Sequence, residues 1–569
     1  MDEDRVRELA AGYALQNAVR HESDAEVGAV VGKLMGEHEE LREHGDAVPG
    51  VVAPVVDEIN ALSGEERRAR LEADHPALLE ELEADDGEED EGLPPLPSVE
   101  EGDDVVMRFA PNPNGPPTIG SARGMVVNDA YVKRYGGELI LRFDDTDPVN
   151  KPPLDEAYGW YEEDAGWLGM DVARVERASA RLETYYEHAR RLVEEGAAYV
   201  CHCPQRDFKQ LKDAGEPCPH RDRPAEESLA ELDAMIAGDH DEGDAVLRIA
   251  TDIAHKNPAI RDWVALRVVD VATHPHPRVG SEYHAWPMLD FQGAIDDHLM
   301  GTTHIIRGKD LRDSEERQGY LYDALGWEYP EVLHWGRISI EEYGTLSTSS
   351  LAEAIADGDY EGWDDPAVPT VRALRRRGIH ADAIRAAMED LGVSESDVDL
   401  SMEHVYSENR KLVDDAADRY FLVRDPVELQ IEDAEPTTAT PPRHPDDESR
   451  GVRELAVDDA ILVERDDVPD VGDGVRLKSL YNVEIVDDDP LVARRTGDDL
   501  APVREGPMDV VHWLPADSPD ATLKTPEGDV AGVVEEGALG AIDDVVQFER
   551  VGFARVESAE PFVAVYGHR

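Results

Sequence analysis

All three cysteines of this chain fall in one stretch: Cys201-His202-Cys203 and, after fourteen intervening residues, Cys218-Pro219-His220. Two C-x-C-like pairs flanking a short helical segment offer three thiolates and an imidazole, the donor set and spacing of a zinc knuckle. His202 is the alternative fourth ligand, although its place between two cysteines would strain the chelate. A disulfide is disfavoured in a reducing compartment. A structural Zn²⁺ on Cys201, Cys203, Cys218 and His220 is therefore expected. A second constellation is the loop Pro111-Asn112-Pro113-Asn114-Gly115-Pro116-Pro117, which runs into Thr118-Ile119-Gly120-Ser121. The prolines preset the backbone, and Gly115 permits close approach. From Thr118 a helix opens whose free amides and positive dipole end can hold phosphate. Taken alone, such a loop is more often a structural joint than a phosphate site. A third is the arginine run in Val371-Arg372-Ala373-Leu374-Arg375-Arg376-Arg377-Gly378, in which Arg372, Arg375 and Arg376 share one helix face. Either neighbouring acids or a nucleic-acid backbone would satisfy it. His255, His274 and His276 read as solvated surface residues.

The elements that must position these groups are legible in outline. From Val105 the chain runs as an apolar strand (VVMRFA), the Pro/Gly/Asn loop, a helix (TIGSARGMVVNDAYVKRYG) stopped by Gly136-Gly137, and a second strand (ELILRFDDTDP). That is the first half of a nucleotide-binding α/β unit. Upstream, Val6, Leu9, Tyr13 and the run 15–19 give helical apolar spacing, which Pro49 and Pro54 are expected to break. Residues 85–104 are acidic, carry three prolines and read as a linker. From about Tyr420 short strand patterns dominate, starting at Phe421, Ile461, Val510, Val545 and Phe562 and separated by Gly, Pro and Asp turns. In VRLKSLYNVEIV the alternating Val475, Leu477, Tyr481, Val483 and Ile485 read as one long half-buried strand, and a β-barrel or pair of barrels follows.

Composition bounds the rest. In 569 residues, 127 Asp and Glu stand against 56 Lys and Arg, a formal charge of −71. The acid is spread along the chain, as a solvated coat would be. Such a coat suits a salt-rich cytoplasm, where at ~1 M salt the Debye length is only ~3 Å and self-repulsion is screened. Net charge would ordinarily count against a nucleic-acid partner. In strong salt counterion release matters less, so the objection weakens. No apolar run of 18 residues occurs and the start, MDEDRVRELA, lacks a secretory signal, so no membrane partner and a cytoplasmic location are expected.

The segment RFAPNPNGPPTIGSARG followed by LRFDDTDP closely resembles the active-site opening of class I glutamyl- and glutaminyl-tRNA synthetases. DDHLMGTTHIIRGKD (296–310), GRISIEEYGTLSTSS (336–350) and GWDDPAVPTVRALRRRG (362–378) look like the same family, in its order. With a β-rich C-terminus, the resemblance is to the archaeal type of glutamyl enzyme. It implies a two-step reaction: glutamate attacks the α-phosphate of ATP, Mg²⁺ accompanying, and the acyl group then passes to the terminal adenosine of tRNA(Glu). It also implies that tRNA is needed before activation. tRNA(Gln) is open as a second acceptor, and a monomer is expected.

Carried over residue by residue, the resemblance implies that Arg108 and Asp144 hold the α-groups of glutamate, with Asn112 and Leu289 beside them. Arg307 reads the side-chain carboxylate. Pro111, Asn114, Gly115, Gly120 and Asp310 meet ATP, and Thr118, Ser121, Ser347, Thr348 and Ser349 stand in the two catalytic signatures. The knuckle falls where the family inserts the domain that grips the acceptor end. The departures are marked. Thr118 and Ser121 replace both histidines of the His-Ile-Gly-His signature, and Leu346-Ser347-Thr348-Ser349-Ser350 carries no lysine. Leu289 stands where a tyrosine is frequent. Lys309 and Arg337 are the nearest cations in sequence. A glutaminyl enzyme and a catalytically silent tRNA binder are the rival readings. The expected fold is multidomain α/β: a helical appendage (1–84), the linker (85–104), a Rossmann-type first half (105–200), a zinc-bearing acceptor insertion (201–285), a second half (286–350), a helical connector (351–418) and anticodon-binding β-barrels (419–569).

Overall fold

The computed structural model describes residues 3–20, 25, 27–37, 48–76, 78–79, 93–99, 103–343, 348–432, 434–506 and 508–569. The chain forms two compact units, Met1–Gly92 and Leu93–Arg569. In the first, α1 (Glu3–Arg20), α2 (Val27–Glu37), α3 (Val48–Asn60) and α4 (Gly64–Asp74) close over Ala10, Ala14, Leu15, Leu34, Val52, Val56, Ile59 and Leu71. Contrary to expectation, neither proline breaks α3. Pro49 sits in the first turn, where its missing N–H has no helical acceptor, and Pro54 lies inside. Burial of Val52, Val55, Val56 and Ile59 on one face offsets the lost bond.

In the second unit, β1 (Val105–Phe109), β2 (Gly137–Phe143) and β3 (Val172–Arg177) form a parallel sheet. They are joined by α5 (Ile119–Tyr135) and α6 (Asp155–Trp167), and α7 (Leu182–Glu194) follows β3. An antiparallel sheet of β4 (Ala198–Cys201), β5 (Val246–Ile249), β6 (Val264–Val268) and β7 (Ala285–Pro287) is then inserted. Helices α8 (Gln205–Ala214) and α9 (Ala225–Ala237) lie between its first two strands in sequence. After α10 (Leu289–Leu299) the parallel layer resumes with β8 (His304–Gly308), α11 (Arg312–Leu325) and β9 (Glu331–Trp335), β8 pairing parallel with β9. Thr303 N donates to Val106 O at 2.9 Å and Val106 N to Thr303 Oγ1 at 3.0 Å, which seats β8 beside β1. The layer thus reads β9, β8, β1, β2, β3. Its order reverses between β1 and β8, the point at which a doubly wound sheet opens a ligand crevice at the carboxyl ends of its strands.

The segment read as a linker is in part core. Leu93 and Leu96 are buried with α5, and Tyr131 Oη donates to Pro94 O at 2.9 Å. Two leucines among acids suffice to dock it; residues 85–92 and 100–102 lie outside the described residues. The connector contains β10 (Ile338–Ile340), α12 (Thr348–Asp357), α13 (Val371–Arg376), α14 (Ala381–Asp390), β11 (Val398–Leu400) and α15 (Met402–Val413). Beyond it stand two seven-stranded sheets. The edge strands of one, Arg419–Tyr420 and Leu422–Arg424, are separated only by Phe421, and those of the other, Asp509–Val511 and Leu514–Pro515, only by His512 and Trp513. At no more than ~3.6 Å per residue, chain continuity brings each sheet's edges together, so both curl into barrels. The second barrel is inserted within the first.

The run Val475 to Ile485 is not one strand. Gly474–Leu477 and Asn482–Asp488 are antiparallel partners, with Ser479 at φ 60 in the turn and Leu477 N donating to Tyr481 O. The apolar positions flanking the turn, Leu477 and Tyr481, are an even four residues apart, which keeps the alternation in phase, so the pattern cannot register the reversal. VVQFERVGFARV likewise splits into Val545–Phe548 and Gly552–Ala559, with a turn through Arg550 at φ 63.

Candidate active site

At the carboxyl ends of the parallel strands, a cavity of about 180 Å³ is lined by Arg108, Arg142, Asp144, Leu289, Asp297, Arg307 and Gln318, among others. Strand alternation explains part of this set: Arg142 and Asp144 leave β2 on one side, two residues apart. Asp297, from α10, is the hub. It accepts from Arg108 Nε at 3.0 Å and Arg142 Nη1 at 2.7 Å, while Arg142 Nε donates to Asp144 Oδ1 at 2.9 Å. Burial pushes the Asp297 carboxyl up, but Arg108 and Arg142, with Arg307 beyond them, overcome it and hold it down at about 2. Burial likewise works against the Arg142 charge, and Asp144 and Asp297 still hold it well above the usual arginine value.

Arg307 differs. It is 7% exposed, donates through Nη1 to Gln318 Oε1 at 3.1 Å and lies 3.5 Å from Tyr329 Oη, and its buried Nε has no acceptor. Among the described residues it meets no carboxylate. Tyr329 Oη donates to Gln318 Oε1 at 2.5 Å and Gln318 Nε2 to Asp290 O at 3.2 Å, so the groups that hold the guanidinium are neutral. Tyr329 stays protonated because burial pushes it up to about 12. Arg108, Arg142 and Arg307 against Asp144 and Asp297 leave the pocket one positive charge in surplus. Asp290, also on the wall, is taken up by Arg317 at 2.7 Å.

Asn112 is not on the cavity wall. Its Nδ2 donates to Asp144 O at 2.9 Å and its Oδ1 is buried without a donor. Leu289, 48% exposed, stands where this cavity borders a larger one of about 690 Å³ lined by Phe208, Lys212, Arg248, Trp263 and Arg317.

The loop and helix start expected to meet phosphate are built differently. Thr118 caps α5, accepting from Ser121 N at 3.3 Å and lying 3.2 Å from Ser121 Oγ. Ile119 N donates to Pro369 O at 2.9 Å, so two of the amides expected to be free are used. Gly120 N has no acceptor among the described residues. A Cβ on Gly115 would come within 2.4 Å of Thr348 Cγ2 and 3.0 Å of the Trp363 ring, so the Pro111 to Pro117 loop, with Asn114, lies against the start of α12. Thr348 is half-buried and Ser349 exposed there; Leu346 and Ser347 lie outside the described residues. Asp310 is exposed just past the end of β8. Of the two cations named from sequence, Lys309 pairs with Asp397 at 2.8 Å, whereas Arg337 is exposed and its side chain meets no acid among the described residues.

The arginine run takes acids as its partners. Arg372 reaches Glu163 at 3.1 Å and Asp164 at 3.5 Å, Arg375 reaches Glu163 at 3.4 Å, and Arg376 reaches Glu557 at 2.7 Å. Arg377 is buried, between the hydroxyls of Tyr343 and Tyr406 and the carbonyl of Tyr566. The reading of the histidines as solvated fails for two. His276 is buried, its Nε2 2.9 Å from Asp145 O, and His255 pairs with Glu316 at 2.7 Å. Each fills a polar niche between elements, which local sequence does not mark. His274 is half-buried.

In the insertion, Cys201 and Cys203 at the end of β4 meet Cys218 and His220 from the turn after α8, and their donor atoms all lie within 4.8 Å of one another. Cys218 Sγ is 3.7 Å from Cys201 Sγ and 3.7 Å from His220 Nδ1, and Cys203 Sγ is 3.5 Å from His220 Nδ1. A tetrahedron with Zn–S of ~2.3 Å and Zn–N of ~2.05 Å has edges of about 3.8 Å and about 3.6 Å. The four groups therefore fit zinc without rearrangement. The hydrogen bond from the Cys218 thiol, with Arg248 nearby, holds Cys201 below the usual thiol range.

Sequence reasoning missed Asp297, Arg142, Gln318 and Tyr329. The available signal was charge inside an apolar pattern: Asp296 and Asp297 fall in the last turn of a largely buried α10.

Comparison with known proteins places this arrangement. The family described as tRNA synthetases class I (E and Q) matches through its catalytic domain at residues 104–415 and through its anti-codon binding domain at 417–494. A glutamate–tRNA ligase of Haloarcula marismortui is 53% identical, covering 97% of this chain and 96% of its own. Those of Methanosarcina acetivorans and Natronomonas pharaonis are 51% and 50% identical, covering 98% of both chains and 100% of both chains respectively. With the catalytic-domain family matching more than half of this chain, and such relatives alike from end to end, the chain belongs to the class I (E and Q) tRNA synthetases.

Proposed function

We propose that this chain is a glutamate–tRNA ligase whose choice of glutamate rests on Arg307, a buried guanidinium lacking a carboxylate in a pocket where its fellow arginines have one. A zwitterion with an extra carboxylate brings one net negative charge and cancels the pocket's surplus. Glutamine would bury Arg307 against a neutral amide, a difference on the order of 3–5 kcal/mol. Asp144 takes the α-ammonium. Arg108 and Arg142, fixed by Asp297, orient the α-carboxylate, one oxygen of which bonds to the α-phosphorus of ATP as the bond from that phosphorus to the pyrophosphate oxygen breaks. No covalent enzyme intermediate is needed, so rate comes from positioning and charge stabilisation. Mg²⁺ arriving with ATP neutralises phosphate charge. Gly120 N and the hydroxyls of Thr118, Ser121, Thr348 and Ser349 supply neutral hydrogen bonds, with Ser347 assigned alongside them. The acyl group then passes to the terminal adenosine of tRNA(Glu), and pyrophosphate and AMP are released in turn. Cys201, Cys203, Cys218 and His220 hold a structural Zn²⁺ that keeps β4 and α8 together in the insertion facing the acceptor end. The protein acts as a cytoplasmic monomer.

Pyrophosphate exchange and aminoacylation in multimolar KCl, with tRNA present, test this reading. Exchange should require glutamate and not respond to glutamine. Equal exchange with glutamine overturns the selectivity, and binding of tRNA with no exchange for either amino acid overturns the ligase. Charging of tRNA(Gln) transcript beside tRNA(Glu) measures the breadth of the second step.

A further inference from the structure

Beside the knuckle, the insertion gathers a second set of donors. His202 lies between the two knuckle cysteines, Glu231 is on α9, and His240 follows the helix end. Gly238, at φ 80, turns the chain so that His240 folds back on Glu231. Glu231 Oε2 is 3.2 Å from His202 Nε2 and 3.1 Å from His240 Nε2, and the donor atoms of all three lie within 4.8 Å of one another. We infer that His202, Glu231 and His240 form a second transition-metal site, of Zn²⁺ type, clasping α9 to the knuckle.

Three observations carry this. First, the two edges through Glu231 match: a nitrogen and an oxygen at ~2.0–2.1 Å from Zn²⁺ in a tetrahedron are about 3.3 Å apart, and the His202–His240 edge lies within 4.8 Å. Second, His202 is pre-set as a ligand. Its Nδ1 lies 3.0 Å from Asp244 O, an acceptor only, so the ring proton sits on Nδ1 and the Nε2 lone pair faces the cluster. Third, the side chains are 26%, 36% and 21% exposed, which leaves the fourth coordination position open to water. Two imidazoles and a carboxylate favour Zn²⁺, Co²⁺ or Ni²⁺ over Mg²⁺ or Ca²⁺. The knuckle uses the adjacent cysteines and His220, whose ring centroid is 5.5 Å from that of His202, so the two sites share no ligand.

The test counts metal on the full-length chain and needs neither tRNA nor turnover. It therefore stands or falls apart from the ligase reading. Protein loaded with Zn²⁺ in multimolar KCl and excess Mg²⁺, the latter to occupy the acidic coat, should retain two zinc ions per chain. Glu231→Gln and His240→Ala should each retain one. Graded chelator should remove the second ion first, since the three-ligand site is the more open. Loaded with Co²⁺, the wild type should show thiolate charge-transfer bands from the knuckle plus a second set of visible d–d bands. His240→Ala should lose only the latter, and the retained thiolate bands certify that the variant is folded. One zinc per chain in the wild type, or a count and spectrum unchanged in both variants, overturns the site.

Discussion

The two ends of the catalytic cleft solve opposite problems with opposite materials. At the amino-acid end, Arg108, Asp297, Arg142 and Asp144 form a continuous chain of buried ion pairs around an uncompensated Arg307. At the end proposed for phosphate, the described signature residues Thr118, Ser121, Thr348 and Ser349 are all hydroxyls, and of the nearby cations Lys309 is engaged by Asp397 while Arg337 stands exposed at the surface. The difference follows from what salt does. At ~1 M ionic strength an exposed lysine would act over only ~3 Å, while a buried pair is hardly screened. Charge is kept where water and salt are excluded, and the exposed end relies on hydrogen bonds that salt does not weaken in the same way. A protein with a formal charge of −71 gains most from that division.

The sharpest way to break it is at the buried end. Arg307→Gln should lower kcat/KM for glutamate by about 10²–10³-fold, the equivalent of ~3–5 kcal/mol, and narrow the gap to glutamine, as read by pyrophosphate exchange. Asp297→Asn leaves two buried guanidiniums sharing no carboxylate and should cost ~3–5 kcal/mol of stability in denaturant unfolding. The wild type carries the matching pH signature. With the folded carboxyl at about 2 and the unfolded one near 3.8, its contribution of ~2 kcal/mol is complete above pH 4 and is lost as pH falls through 2. Asp297→Asn should flatten that part of the acid limb.

At the exposed end, Gly115→Ala drives a methyl group into Thr348 and the Trp363 ring. It should raise KM for ATP by about tenfold, on the order of the ~1–3 kcal/mol of overpacking, while glutamate binding measured without ATP stays put. Ser350→Lys, on the exposed first turn of α12, should raise kcat by up to ~10-fold in dilute buffer, and the gain should shrink as KCl is added. A gain independent of salt would erase the contrast between the two ends.

How far the sequence foretold this division depends on the residue. That Arg108, Asp144 and Arg307 meet in one cavity was legible because each belongs to a short motif at the end of a strand, and that Cys201, Cys203, Cys218 and His220 come together because the four fall within twenty residues. The β-barrels were visible as strands, but their number and the insertion of one within the other were not. Sheet order is a matter of distant pairing, as when Arg419–Tyr420 joins Val545–Phe548. The helix start looked like an open phosphate cradle because nothing near Thr118 reveals that Pro369 arrives to accept from Ile119. Asp297 was hidden for the same reason: its partners Arg108 and Arg142 lie 189 and 155 residues away.

The finest distinction concerns how Arg307 is held. If its selectivity came only from being charged, the neutral groups around it would be interchangeable. Instead Gln318 accepts from both Arg307 and Tyr329, so the phenol fixes the amide that fixes the guanidinium. Tyr329→Phe removes the phenol's bond to Gln318, worth ~0.5–1.5 kcal/mol, together with the long 3.5 Å contact from Arg307 Nη2, and leaves every charge in place. KM for glutamate should therefore rise about 3- to 10-fold with kcat little changed, since the lost contact serves ground state and transition state alike. Burial pushes the phenol up to about 12, so the wild-type and Phe profiles should run parallel from pH 6 to 9. A divergence there would mean that the hydroxyl ionises in the working enzyme, and that the buried end is not held by neutral neighbours after all.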